Sequence, residues 1–140
     1  MILIDSSVWI EGARQKGDLL VKVALEAILY EYEALLCSPV RLEVLGGARR
    51  DERRQWSEYF RILPYRPTTE EDWQQAVRNG WKLRDAGHTV PWNDILIATM
   101  AVHDDIRVYA ADKHFSLMET VLGIKLYTPG NGGMFVPEVK

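Results

Sequence analysis

Ile2-Leu3-Ile4 is apolar at every position and runs straight into Asp5-Ser6-Ser7. A strand with one wet face alternates apolar and polar residues. An unbroken apolar run, too short for a helix and closed by a turn signal, describes a strand covered on both faces, and such strands belong to parallel sheets flanked by helices. This strand delivers a carboxylate and two hydroxyls to its carboxyl end, the edge of an open parallel sheet where ligands bind. Function then turns on whether other segments bring charge to the same edge.

The remaining chain continues the alternation of strand and helix. Leu20, Val23, Ala24, Ala27 and Ile28 recur at helical spacing and predict a helix from about residue 18 to 31. Ala34 to Cys37 reads as the second strand. Ser38-Pro39 opens a helix over Val40 to Leu45, and Gly46-Gly47 ends it. Arg49 to Arg61, with Trp56, Tyr59 and Phe60, reads as helical, and Ile62-Leu63 as a brief strand before Pro64. Thr69 followed three residues later by Asp72 is a capping signature, and Trp73, Ala76, Val77 and Trp81 form the apolar stripe of the helix it starts. Asp85-Ala86-Gly87-His88 stops that helix. Asn93 reads as the cap of an apolar helix from Asp94 to Val102. Ile106 to Tyr109, Phe115 to Leu122 and Lys125 to Tyr127 follow as strand, helix and last strand, before a Gly-rich tail with no clear element. The expectation is a single domain over residues 1–140, an α/β fold of three layers with a central, mostly parallel sheet.

Bulk properties exclude several classes. A composition of 47% hydrophobic and 26% charged residues with a net charge of -3 leaves no overall electrostatic footprint for nucleic acid, so any such site must be local. The single Cys37 cannot form an internal disulfide and sits in an apolar setting, as a small core residue would. The longest greasy segment, Leu19 to Leu36, is interrupted by Lys22, Glu26, Glu31 and Glu33 and does not suit a membrane span, and no leader pattern precedes the first strand. A cytoplasmic location is expected.

Four acids fall on the same edge. Asp5 follows the first strand, Glu43 lies one turn into the helix after the second, Asp94 opens a helix and Asp112 follows a late strand. Each alone has a local use as a turn former or as a first-turn acid. With right-handed crossovers, however, all can converge on one crevice. Two carboxylates about 6 Å apart repel by roughly 2 to 3 kcal/mol at an effective dielectric near 20, and a hard divalent cation offsets that cost. A site of a few acids without His or Cys ligands fits Mg²⁺ or Mn²⁺ better than zinc. Phosphodiester cleavage uses such ions to activate water and to stabilise charge on the phosphate. The expected division gives the metal to Asp5, Asp94 and Asp112, and gives Glu43 the holding or deprotonation of the attacking water.

At these residues the sequence resembles the PIN domain family, and within it the VapC-like toxins of toxin–antitoxin pairs. Leu3-Ile4-Asp5-Ser6-Ser7-Val8-Trp9-Ile10 is similar to the family's opening strand and first acid, and Glu43 to the acid on the helix after the second strand. Asn93-Asp94-Ile95-Leu96-Ile97-Ala98 resembles the helix of the third acid, and Ala111-Asp112-Lys113-His114-Phe115 the turn of the fourth. The resemblance implies an endoribonuclease dependent on Mg²⁺ or Mn²⁺, usually a homodimer, held inactive by a small antitoxin whose tail enters the active-site groove. One departure is Ala110, where many members carry Thr two residues before the fourth acid; Ser6 or Ser7 is the expected substitute hydroxyl.

Arg49, Arg50, Arg53 and Arg54, just beyond the glycines after Glu43, and Lys113 beside Asp112 are the candidate contacts to RNA phosphates. Asp51, Glu52 and Glu58 are interleaved with the arginines, as on a solvated helix face. Trp9 and Trp92 lie near the acids and can serve either as stacking platforms for unpaired bases or as core. His88 and His103 show no ligand spacing. His114 sits two residues beyond Asp112, and the resemblance requires no histidine there.

Two other readings compete. A phosphoacceptor signalling domain needs an acidic pair near the first strand and a lysine at the end of the last, but Asp5 has no acidic neighbour and Lys125 begins its strand. A catalytically inactive PIN fold that only binds a partner is suggested by Ala110. Against it, an unused cluster of four acids would carry electrostatic cost with no return.

Overall fold

In the computed structural model, which describes residues 1–139, the apolar run at the start is β1 (Ile2–Ile4), fully buried as expected. It pairs in parallel with β2 (Ala34–Cys37) on one side and β4 (Arg107–Tyr109) on the other. β3 (Tyr65–Arg66) and β5 (Lys125–Leu126) form the edges, and every pairing is parallel in the order β3-β2-β1-β4-β5. The chain steps outward from β1 to β3, returns across the sheet, and lays β4 against the free side of β1. That reversal opens a crevice between the carboxyl ends of β1 and β4, the topological switch point of an open α/β sheet.

Seven helices fill the crossovers. α1 (Ser6–Ala13), α2 (Leu19–Tyr30), α3 (Ser38–Gly46) and α4 (Arg53–Arg61) pack in series. α5 (Glu70–Asp85), α6 (Trp92–Asp104) and α7 (His114–Leu122) pack together, so the core lies in the three layers expected. α6 is buried over almost its whole first two turns, which explains its apolar character on most sides. Cys37 is buried, and burial pushes its thiol up to about 12, as suits a core residue. No helix among the described residues is long and apolar enough to cross a membrane.

Several local expectations are corrected. α1 has no counterpart in the sequence reading, because Asp5 looks like a plain turn acid. Its carboxylate in fact accepts from the Ser7 N–H and caps the helix, and Val8 and Trp9 bury its inner side. The third strand is not Ile62-Leu63. Ile62 caps the end of α4 and is exposed, whereas the Leu36 N–H donates to the Pro64 carbonyl at 3.0 Å and pairing continues through Tyr65 and Arg66. Proline leads an edge strand without loss, since it gives up only a donor. The fourth helix starts at Arg53 instead of Arg49, and α6 is preceded by Pro91, with Asn93 inside the first turn. The apolar stripe of α5 is not covered by the core: Trp73, Val77 and Trp81 are half or more exposed.

Arg66 ties the far side together. Its guanidinium donates to Asp104 at the end of α6, at 2.8 and 3.1 Å, and to both oxygens of Asp72 in the first turn of α5. Asp72 is 1% exposed and closes the capping box with Thr69. Removing the arginine would leave that carboxylate buried and short of its cation. Arg66→Ala is therefore expected to lower unfolding stability by about 3 kcal/mol, measured by urea denaturation. A change below about 1 kcal/mol would place this pair among weak surface bridges.

Candidate active site

The four acids reach the crevice from four different segments, as the crossovers require. Asp5 leaves the end of β1 and is 1% exposed. Its Oδ2 accepts from the Ser7 hydroxyl at 2.5 Å and from the Ser7 N–H at 3.1 Å, while its Oδ1 is buried without a partner. The Ser7 hydroxyl oxygen also accepts from the Ala111 N–H at 2.9 Å, which joins the loop after β4 to the end of β1. Of the two hydroxyls expected to support the site, Ser7 is therefore the one that holds Asp5. Ser6 is buried at the helix start and makes none of the hydrogen bonds that hold Asp5.

Asp94, in the first turn of α6, and Asp112, in the loop after β4, come together. Burial pushes Asp5 up to about 7, opposed by the Ser7 hydrogen bonds and reinforced by the charges of Asp112 and Asp94. Burial likewise raises Asp94 to about 6, with Asp112 adding to the shift and His114 opposing it. Glu43 stands on the exposed side of α3, where its Oε1 accepts from the Asn93 amide. The same amide group donates to the Pro39 carbonyl at 3.4 Å, so Asn93 fastens α3 to the start of α6.

His114 is the residue that sequence reasoning left without a role. Its Nδ1 lies 2.7 Å from Asp94 Oδ2 and 3.7 Å from Asp112 Oδ1. Its backbone N–H donates to Asp112 Oδ1 at 3.0 Å as α7 begins. The available signal was the Asp-Lys-His spacing at a helix start, which reads equally as an ordinary turn. Asp94, Asp112 and His114 each offer one ligand atom within 4.8 Å of the others. A buried carboxylate oxygen lacking any donor, in a group whose pKa Asp112 and Asp94 help to raise, is the arrangement a cation relieves, and the oxygen-rich donor set fits a hard or borderline divalent ion.

The candidate phosphate contacts lie outside this cluster. Arg49 pairs with Glu52, and Arg54 donates to Glu58 at 3.1 Å, both exposed. Arg53 donates to the Ala48 carbonyl at 3.4 Å, and Arg50 is exposed. Lys113 is exposed between Asp112 and His114. The two tryptophans part company: Trp9 is buried edge-on against Tyr59 and Phe60, whereas Trp92 is 64% exposed. The Trp92 ring lies on Gly80, where an added Cβ would fall 2.7 Å from it, so only glycine lets α5 approach this closely.

The PIN domain family model matches residues 2–120. The chain belongs to the PIN domain family. Among its relatives, Ribonuclease VapC11 of Mycobacterium tuberculosis and VapC ribonuclease Mb1587 of Mycobacterium bovis are each 30% identical, covering 89% of this chain and 96% of theirs. Solved structures share the PIN fold. VapBC2 from Rickettsia felis, bound to a DNA fragment from its promoter, gives a TM-score of 0.72 at 16% identity, covering 91% of this chain and 98% of that one. FitAcB from Neisseria gonorrhoeae gives 0.68 at 17% identity, covering 91% and 97%.

The raised carboxylate of Asp5 makes stability depend on pH in a definite direction. Between its unfolded value, about 3.9, and its folded value, about 7, the native state holds a proton that the unfolded chain has released. The stabilisation is complete below the first value and lost as pH rises through the second. In EDTA, the melting temperature should fall on the order of 5 °C between pH 5 and pH 8. Asp5→Asn should flatten that slope in a thermal melt series, and an equally steep slope in the variant would show that another group carries it.

Proposed function

We propose that this PIN domain is a metal-dependent endoribonuclease, the toxin of a toxin–antitoxin pair, which cleaves RNA phosphodiester bonds. The observation that carries the proposal is the close approach of Asp94 and Asp112, with Asp5 and Glu43 near enough to interact electrostatically with this pair and Asp5 Oδ1 buried and unpartnered. The ribonuclease names of its relatives support the same chemistry.

Asp5, Asp94 and Asp112 would hold Mg²⁺ or Mn²⁺, which when bound supplies charge stabilisation at the phosphate and lowers the pKa of water. Ser7 fixes Asp5 by donating to one oxygen, which leaves the other without a hydrogen-bond partner. Glu43 is exposed and oriented by Asn93, a placement suited to taking the proton from attacking water. Arg49, Arg50, Arg53, Arg54 and Lys113 would neutralise flanking phosphates, and Trp92 offers an exposed ring. The Ser7 bridge to Ala111 supplies the hydroxyl that Ala110 lacks, which weakens the reading of an inactive binding module.

Its partner would be a cognate antitoxin whose tail enters the active-site groove. A homodimer would form through the exposed apolar face of Trp73, Val77, Trp81 and Trp92. An interface of ordinary size takes about 800 Å² per partner. Tryptophans that each carry roughly 150–250 Å² supply much of it, and a two-fold contact would set the face against itself.

Purified protein should cut single-stranded RNA with Mg²⁺ or Mn²⁺ and stop in EDTA. Asp5→Asn, Glu43→Gln and Asp94→Asn should each lose about a hundredfold or more while keeping a folded circular dichroism spectrum. Normal cleavage by folded Asp5→Asn protein would overturn the assignment. For the assembly, light scattering at micromolar concentration should give a dimer that Trp81→Lys converts to a monomer. A monomeric wild type would remove the dimer from the reading.

A further inference from the structure

We propose that His114 is a direct nitrogen ligand of the divalent ion held by Asp94 and Asp112, and that it biases the site toward Mn²⁺ over Mg²⁺. The inference rests on the metal-site reading above and adds a ligand of different chemistry to it. Neighbouring ligands on an octahedral ion with bonds of about 2.1 Å sit about 3 Å apart. The 2.7 Å between His114 Nδ1 and Asp94 Oδ2 is close to that spacing, and Asp112 Oδ1 lies only 3.7 Å from the same nitrogen. The ring nitrogen thus stands beside both carboxylates, in hydrogen-bonding contact with one of them.

The arrangement is also built into the backbone. The His114 N–H donates to Asp112 Oδ1 at 3.0 Å, so the same residue that offers the imidazole fixes the neighbouring carboxylate. His114 is the first residue of α7, whose Phe115 and Met118 are buried, and the core therefore sets where that first residue stands. Asp5 Oδ1, buried and without a hydrogen-bond partner, belongs to a carboxylate on which the charges of Asp112 and Asp94 act. Without metal, the ring lies in hydrogen-bonding contact with Asp94. To hold a metal, His114 would carry its ring proton on Nε2 and offer the Nδ1 lone pair. The His114 side chain is 42% exposed, so the exchange needs no opening of the core.

Identity of the ion follows from donor chemistry. Mg²⁺ gains little from exchanging a water for imidazole, whereas first-row transition ions, beginning with Mn²⁺, bind nitrogen more readily. A carboxylate-only site would discriminate weakly between them. A site with one imidazole should favour Mn²⁺, and Co²⁺ more strongly still.

Electron spin-echo spectroscopy on wild-type protein loaded with one equivalent of Mn²⁺ tests the ligand directly. The expected result is ¹⁴N modulation from a coordinated imidazole, absent in His114→Asn, with Mn²⁺ affinity falling about tenfold in the variant and Mg²⁺ affinity changing less than threefold. These readouts distinguish a ligand from a residue that only shapes the loop, which would shift both ions alike. Mn²⁺ bound tightly to wild type without ¹⁴N modulation would overturn the role of His114 while leaving the carboxylate site standing. Failure of wild type to bind Mn²⁺ at all would overturn the metal-site reading and this inference with it. Because the wild-type spectrum alone decides ligation, a variant that failed to fold would not rescue the proposal.

Discussion

One carboxylate governs how this site is put together. Asp5 is attached to a strand buried on both faces, so it cannot retreat into water, and only Ser7 compensates its burial. Both of the Ser7 hydrogen bonds go to a single oxygen. The other oxygen is buried with its desolvation uncompensated, which drives the group toward its protonated form. The same Ser7 oxygen accepts from Ala111, so holding Asp5 also holds the start of the loop that carries Asp112. The cap of α1 and the tie between β1 and the loop after β4 are therefore made by one residue.

The rest of the arrangement concerns α6, which carries Asp94 across from the far edge of the sheet. Its beginning is fastened to α3 through Asn93 and Glu43. Its end is fastened to β3 and α5 through Arg66 and Asp104. Between these anchors the helix is buried among apolar side chains, and Thr99 meets Asn79 of α5 in a buried hydrogen bond of 2.8 Å. A helix held at both ends and specified in the middle has little freedom to slide. That matters because a shift of about 1 Å is enough to spoil a ligand set or a near-attack geometry.

How much of this was legible in the sequence depends on the kind of signal each residue gives. Ile2 to Ile4, Ala34 to Cys37 and the capping box at Thr69 were readable because burial and capping are local and leave patterns in adjacent residues. The four acids could be placed on one edge because a parallel sheet with right-handed crossovers leaves few alternatives. Helix α1 was not readable, since its decisive interaction is a carboxylate reaching two residues forward from what looks like an ordinary turn. The exposure of Trp73 and Trp81 was hidden for a different reason: helical periodicity reports that a face is apolar, not whether this chain or another covers it. His114 failed both tests, because its contact with Asp94 spans 20 residues and no local pattern encodes it.

The site divides into a rigid part and a yielding part, and the division follows burial. Asp5 and Asp94 are buried and strongly desolvated, so their positions are costly to change and suit a fixed ligand set. Glu43 and the arginines around α4 are exposed, and the arginine partners Glu52 and Glu58 belong to the same short segment. Exposed pairs of this kind contribute little, from almost nothing to about 1 kcal/mol. A polyanion can therefore draw Arg49 and Arg54 away from them at small cost. Contacts to the phosphate backbone position a nucleic acid without reading its bases. The buried acids thus stand in a fixed frame, whereas the arginines and surfaces such as Trp92, whose ring is seated on Gly80 with most of its area open, lie on the exposed rim.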